Sequence, residues 1–349
     1  MTIRPKPSET SGDHKETLPV ELADALVELR VVRGASEIVA TRRLTGGVSS
    51  DIWRVDTLQR VVCVKRALPR LKVAAVWEAP VERNRYERLW YARANAICPG
   101  AAPDVLANDD ALNLFVMEYL PPERHPLWKA ELAGGRVDTS FAAKVGATLG
   151  AIHSATAGRA DIAAEFPTDI LFERLRLEPY LRFTGARHPD LAARLNEIAD
   201  ALATNHFGLV HGDVSPKNIL MGPTGPVFLD AECAWYGDVV FDPAFCLNHL
   251  LLKSVWRPDA HKALQASARH LWSAYSAALD WEAPAELERR CAILLGALLL
   301  ARIDGKSPVE YIVDENDKRR VRDLARTFIA RQVGRLDEIF AIWDREWGR

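Results

Sequence analysis

The sequence predicts an α+β fold of two lobes, a small one built on a mixed β-sheet and a larger, mainly helical one. Three observations predict it. At 349 residues the chain exceeds the usual size of one domain. Strand-like alternation is concentrated in the first third, whereas three- and four-residue apolar spacing dominates the rest. A proline-rich break, "PPERHP" from Pro121 to Pro126, stands where the pattern changes. The expected organisation is a flexible tail over 1–18, a first lobe over 19–120 and a second over 121–349.

The tail, "MTIRPKPSETSGDHKETLP", is polar and rich in proline and charge, with no apolar stretch that would serve as a signal peptide. A short helix follows near "VELADALVEL". "EIVATRRL" (37–44) and "IWRV" (52–55) read as strands around a glycine turn, and "RVVCVKRAL" (60–68) reads as a third. A helix is predicted from about Val81 to Ala96, where Arg83 and Glu87 stand four apart and are placed to pair. "PDVLAN" and "LNLFVMEYL" add two strands. Beyond the proline break, Phe141, Val145, Leu149 and Ile152 recur at helical spacing in "TSFAAKVGATLGAIHSA". Strand signals return only in "FGLVHG" and "PVFLDAE", with "MGPTGP" as the turn between them. The apolar run "CAILLGALLLA", bounded by Arg290 and Arg302, is well short of the ~20 residues a bilayer needs and reads as a buried helix.

Composition narrows the partners. The 45 basic and 47 acidic side chains give a net charge of −2, so nothing global attracts nucleic acid or an anionic membrane. Five scattered cysteines, odd in number and without C-x-x-C spacing, indicate neither a disulfide framework nor a zinc site, and suit a reducing cytoplasm.

Chemistry is concentrated in "GLVHGDVSPKNIL" (208–220). Asp213 and Asn218 lie five residues apart, and Asp230 follows the next strand, with Glu232 on the same side if the backbone stays extended. These are hard oxygen donors. Magnesium near phosphate oxygens takes one or two carboxylates and keeps several waters, so Asn218 and Asp230 suit the metal while Asp213 is left to orient a hydroxyl. His211 is expected to brace the loop rather than move protons.

"HGDVSPKN" (211–218) followed by "LDAE" (229–232) resembles the H-G-D-x-x-x-x-N loop and metal segment of the aminoglycoside phosphotransferase and choline kinase group, with a protein-kinase-like fold. The resemblance implies a small-molecule kinase that moves the γ-phosphoryl of ATP, GTP not being excluded, to the hydroxyl of an aminoglycoside, amino alcohol or sugar. It implies Asp213 as the catalytic, hydroxyl-orienting group and Asn218 and Asp230 as magnesium ligands. "LTGGVSSDIWRV" then stands where the group places its phosphate turn, with Gly46 and Gly47 permitting close backbone approach and Ser49 and Ser50 offering amides and hydroxyls. Lys65 matches the lysine of the α- and β-phosphates. Glu87 is the first choice for the carboxylate that holds it, with Glu82 the competitor. "MEYL", including Glu118 and Tyr119, matches the hinge beside the adenine.

Two departures exist. The position two residues after Asp213, a lysine in protein kinases, is Ser215, and a lysine stands instead at Lys217. "LDAECAWYGDVVFDPAF" replaces D-F-G, with "WYGDVVFD" resembling methylthioribose kinase, and no A-P-E segment follows. A protein substrate is therefore disfavoured, and a nucleotide-binding pseudokinase or scaffold would be expected to lack one of Asp213, Asn218 and Asp230. In "RIDGKSPVEYI", Ser307, Pro308 and Glu310 read as a helix start. Arg302, Asp304 and Lys306 just before it are candidates for an acceptor pocket. Trp235, Trp272 and Trp281 are candidates for an aromatic wall or for core packing.

Overall fold

The computed structural model describes residues 17–44, 50–68 and 80–348. The chain divides into two compact units, Met1–Glu78 with Val105–Tyr119, and Ala79–Asp104 with Leu120–Arg349. The helix Arg83–Ile97, expected in the first lobe, thus belongs with the second unit. Trp90 supplies the reason: it is fully buried and meets His211 and Phe228 edge-on at 4.7 and 5.9 Å.

In the first unit, β1 (Ile38–Arg43), β2 (Ser50–Thr57), β3 (Val61–Ala67), β4 (Val105–Asp109) and β5 (Leu114–Glu118) form one sheet in the order β1-β2-β3-β5-β4. Every pairing is antiparallel, where a mixed sheet was expected. Period-two alternation sends Trp53, Val55, Val62, Val64, Leu114 and Val116 to one face, where Leu22 and Leu26 of the helix Val20–Glu28 join them in a core. Leu18, assigned to the tail from sequence, is buried in that same core.

The second unit is mainly helical. Asp138 caps the helix Thr139–Thr156 by accepting from the amides of Ser140 and Phe141. This helix packs against His261–Ser276 so closely that a Cβ on Gly146 would sit 2.1 Å from the Leu271 carbonyl oxygen. Gly146→Ala is therefore expected to force the helices apart and lower stability by about 1–3 kcal/mol, read as a lower urea midpoint at unchanged slope. The apolar run 291–301 lies inside the buried helix Pro284–Asp304. No helix among the described residues is long and apolar enough to cross a membrane.

The predicted helix start at Ser307 is not there. The Ser307 hydroxyl and carbonyl accept from Arg302, and Glu310 pairs with Lys129 at 2.6 Å, so neither is available to cap. The next helix, Glu315–Arg331, begins instead at Asp314, whose carboxylate accepts from the amides of Asn316 and Asp317. Four short strands complete the unit. β6 (Gly208–Val210) pairs antiparallel with β9 (Trp235–Gly237), and β7 (Ile219–Met221) with β8 (Pro226–Phe228). β9 was not anticipated.

Candidate active site

The loop leaving β6 turns at Gly212, where φ is +81° and a Cβ would lie 2.5 Å from the Cys233 carbonyl oxygen. Only glycine fits both demands. On one side His211 is fully buried. Its Nδ1 accepts from the Asp213 amide at 3.1 Å, so its Nε2 carries the hydrogen and donates to the Leu229 carbonyl at 3.1 Å. Burial lowers its pKa, in keeping with a neutral ring that ties the loop to the segment of Asp230.

Asp242 fixes the loop from below. Its carboxylate accepts from the His211 amide at 2.7 Å and the Gly212 amide at 2.9 Å, and meets His153 Nε2 at 3.3 Å. Asp238 accepts from the Val240 amide at 3.2 Å and pairs with Arg290, whereas Asp242, at the start of the helix Phe241–Trp256, reaches back 30 residues to the loop.

The Asp213 carboxylate is nearly buried between two cations, with Arg176 Nη2 and Lys217 Nζ each 3.1 Å from its Oδ2. Arg176 sits in a π-helical stretch, Glu173–Arg182, that contains Pro179. Arg176 Nη1 donates to the Leu175 carbonyl at 2.7 Å while Nε bonds the Gly212 carbonyl. Asp213, and beyond it Asp230, hold the Lys217 ammonium above its usual pKa against the opposing effect of burial.

Asn218 joins the loop to the next segment. Its Nδ2 donates to the Asp213 carbonyl at 3.0 Å, and its own carbonyl accepts from the Leu229 amide at 2.8 Å. The side chain is thereby fixed with Oδ1 as its remaining acceptor, one residue from the β7–β8 ladder that ends beside Asp230. Asp230 has φ +65°, a left-handed conformation that costs a non-glycine residue about 1–2 kcal/mol. The backbone is therefore not extended, and Glu232 does not follow Asp230 on one strand face as the alternation suggested. Glu232 Oε2 instead accepts from buried Arg83 at 3.0 Å. A relay holds the strained residue: the Asp230 amide donates to Tyr91 Oη at 2.8 Å, and the Tyr91 hydroxyl donates to Glu87 Oε1 at 2.6 Å. Burial and the Glu87 charge push the Tyr91 pKa far up, so it remains a donor. Glu87 is buried and Glu82 exposed. Ser215 is fully buried in the loop.

In the first unit, Ser50 and Lys65 are both buried, Lys65 on the face of β3 opposite Val62 and Val64. Glu118 ends β5, and the Tyr119 ring lies 4.7 Å beneath the Arg54 guanidinium. Gly46, Gly47 and Ser49 lie outside the described residues. Asp304 is occupied elsewhere: Arg322 holds it at 2.5 Å and His188 at 3.0 Å, and although burial pushes its pKa up, the guanidinium more than offsets this. Lys306 is 3.6 Å from Glu178. Trp235 is buried and stacks on Phe172 at 4.1 Å, and the half-buried Trp272 and Trp281 lie beside Tyr275 and Phe207.

Asn218 and Asp230 offer an amide oxygen and a carboxylate, the donor set of a hard divalent cation. With a carboxylate braced between cations one loop away, the second unit has the equipment of a protein-kinase-like phosphotransferase. Comparison with known proteins agrees. Residues 40–287 match the phosphotransferase enzyme family, and the chain belongs to that family. It is an ATP-dependent phosphotransferase acting on a hydroxyl, and membership implies a divalent metal.

A methylthioribose kinase of Pectobacterium carotovorum is 25% identical over 294 residues, 73% of each chain. Two solved structures share the fold. A choline/ethanolamine kinase family protein from Mesorhizobium loti has a TM-score of 0.52 at 16% identity, covering 91% of this chain and 96% of its own. An aminoglycoside phosphotransferase from Alicyclobacillus acidocaldarius has a TM-score of 0.52 at 15% identity, covering 96% and 99%.

Arg176 and Tyr91 were missed from the sequence. Only Pro179 inside a helical pattern hinted at the first; the second carries no local signal.

Proposed function

We propose that this chain transfers the γ-phosphoryl group of ATP directly to a hydroxyl of a small organic acceptor, with Asp213 orienting that hydroxyl and taking its proton. Asn218 and Asp230 would hold magnesium, which when bound neutralises charge on the phosphate oxygens. Lys65, Ser50, Glu118 and Tyr119 are assigned to the nucleotide, GTP remaining an alternative donor. Lys217 and Arg176 hold the Asp213 carboxylate in place, and His211 holds the loop backbone. The observation that carries this reading is the double use of Asn218, whose side chain grips the Asp213 carbonyl while its main chain grips Leu229, the neighbour of Asp230.

The relatives named above differ in acceptor, from methylthioribose to choline, ethanolamine and aminoglycosides, and a sugar is favoured by the curated kinases that match. The test is ADP release with magnesium and a panel of hydroxylated acceptors, with phosphorylated product identified by mass. Absence of any phosphorylated product across sugars, amino alcohols and hydroxy acids would count against the reading.

The relay through Tyr91 gives a second expected result. Tyr91→Phe removes the acceptor of the Asp230 amide, costing about 1–2 kcal/mol, and leaves the left-handed residue less firmly held. The magnesium concentration for half-maximal activity should rise about tenfold, while the melting temperature falls only a few degrees. An unchanged magnesium requirement would separate Tyr91 from the metal site.

A further inference from the structure

A continuous strip of aromatic and basic side chains leads away from Asp213 within the second unit. Arg176, paired to Asp213, lies 5.8 Å over both the Tyr180 and Phe245 rings. Arg302 lies 5.7 Å over Tyr180, and Phe245 meets the His249 ring at 5.3 Å. The Tyr311 hydroxyl approaches His249 Nδ1 at 3.5 Å, and Lys253 Nζ stands 4.3 Å over the Tyr311 ring and 5.2 Å from that of Trp256.

The strip holds unused donors. Lys253 is 2% exposed and its Nζ has no hydrogen-bond partner; the same holds for Arg302 Nε and His249 Nε2, in residues 7% and 5% exposed. Among the described residues no carboxylate pairs with Lys253 or Arg302. Arg176 and Lys217 face Asp213, with Glu232 and Asp230 further off, whereas the carboxylate beside Lys253, Arg302 and Lys129 is Glu310, which is already held by Lys129. Burial first, then the charges of Arg302, Lys253, Lys217 and Lys129, drive the His249 pKa well down. Burial and Lys129 push Lys253 down to about 8. Buried cations without counter-ions are costly, and a bound anion offsets the cost. A cationic amino alcohol would be repelled here, and a neutral polyol would leave the charge unmet.

We infer that this strip is an acceptor subsite for a hydroxylated small molecule carrying an anionic group, a carboxylate or a phosphate ester, gripped by Lys253 and Arg302. The inference rests on the reading that Asp213 orients the acceptor hydroxyl. In the reaction the acceptor oxygen bonds to the γ-phosphorus, the bond from that phosphorus to the β–γ bridging oxygen breaks, the hydroxyl proton passes to Asp213, and ADP leaves.

Two matched series test it with the full chain, ATP and magnesium: glycerol, glycerate, glycerol 3-phosphate and 3-amino-1,2-propanediol, and ribose, ribonate and ribose 5-phosphate. The anionic members should exceed their neutral and cationic counterparts by about tenfold or more in kcat/KM, with carboxylate and phosphate arms telling the two sources apart. Lys253→Met should raise KM for the preferred anion about tenfold with kcat unchanged, and Lys253→Arg should restore it. In the unaltered protein the same KM should rise as pH passes about 8, where Lys253 loses its proton; the groups facing it are Lys129, Arg302, Glu310, Tyr311, Trp256 and His249. Calorimetric binding of glycerate or ribonate that is lost in Lys253→Met supports the subsite even without turnover. Equal or better use of the neutral or cationic members overturns it and leaves the phosphotransferase reading standing. So does failure of every anion to bind. Phosphorylated product formed undiminished by Asp213→Ala overturns the underlying reading instead.

Discussion

Asp213→Ala is expected to abolish transfer, lowering kcat for ADP formation by about 10²–10⁴-fold, the range for losing a positioned proton acceptor. The loop should survive the change, because the Asp213 amide still donates to His211 and its carbonyl still accepts from Asn218. What is lost is the carboxylate between Arg176 and Lys217. Arg176 is buried, so removing its counter-ion also lowers stability. Asp213→Asn separates the two effects: it keeps the volume and a polar contact but cannot take a proton, and should be as inactive as alanine with a melting temperature nearer the unaltered protein. A variant retaining activity within tenfold would remove Asp213 from the chemistry.

The second large effect is expected at Asp242. Asp242→Ala leaves the buried amides of His211 and Gly212 without an acceptor and His153 without its carboxylate. Each orphaned group costs about 1–3 kcal/mol, so the total should be at least about 3 kcal/mol, or a fall in melting temperature of roughly 6–12 °C. Activity should fall as well, since the two amides set the path of the chain into Asp213. Calorimetric melting and ADP release on the same preparation check both. A melting temperature within two degrees of the unaltered protein would mean that Asp242 does not brace the loop.

Both predictions concern the same loop, one a residue in it and the other a residue that braces it from a helix, yet the two were not equally legible. Asp213, Asn218 and Asp230 could be picked from the sequence because short-range order carries their meaning: a fixed run of eight residues, a strand, a turn and a second strand. The same locality explains why β1, β2, β3 and β5 were found within a few residues, since alternation of apolar side chains is a property of neighbours. It also explains the false helix start at Ser307. That motif satisfied every local rule, but Arg302, five residues back, claims its hydroxyl and carbonyl.

By itself, then, the sequence determined the α+β class, the course of most strands and helices, and the chemical identity of the loop. Tertiary structure alone decided how the loop is held. Arg176 reaches Gly212 across 36 residues, Asp242 reaches it across 30, and Tyr91 reaches Asp230 across 139. Periodicity reports only which side of a helix or strand is apolar. A buried hydrogen bond to a distant backbone leaves no repeating trace along the chain, because its partner is chosen by packing in three dimensions.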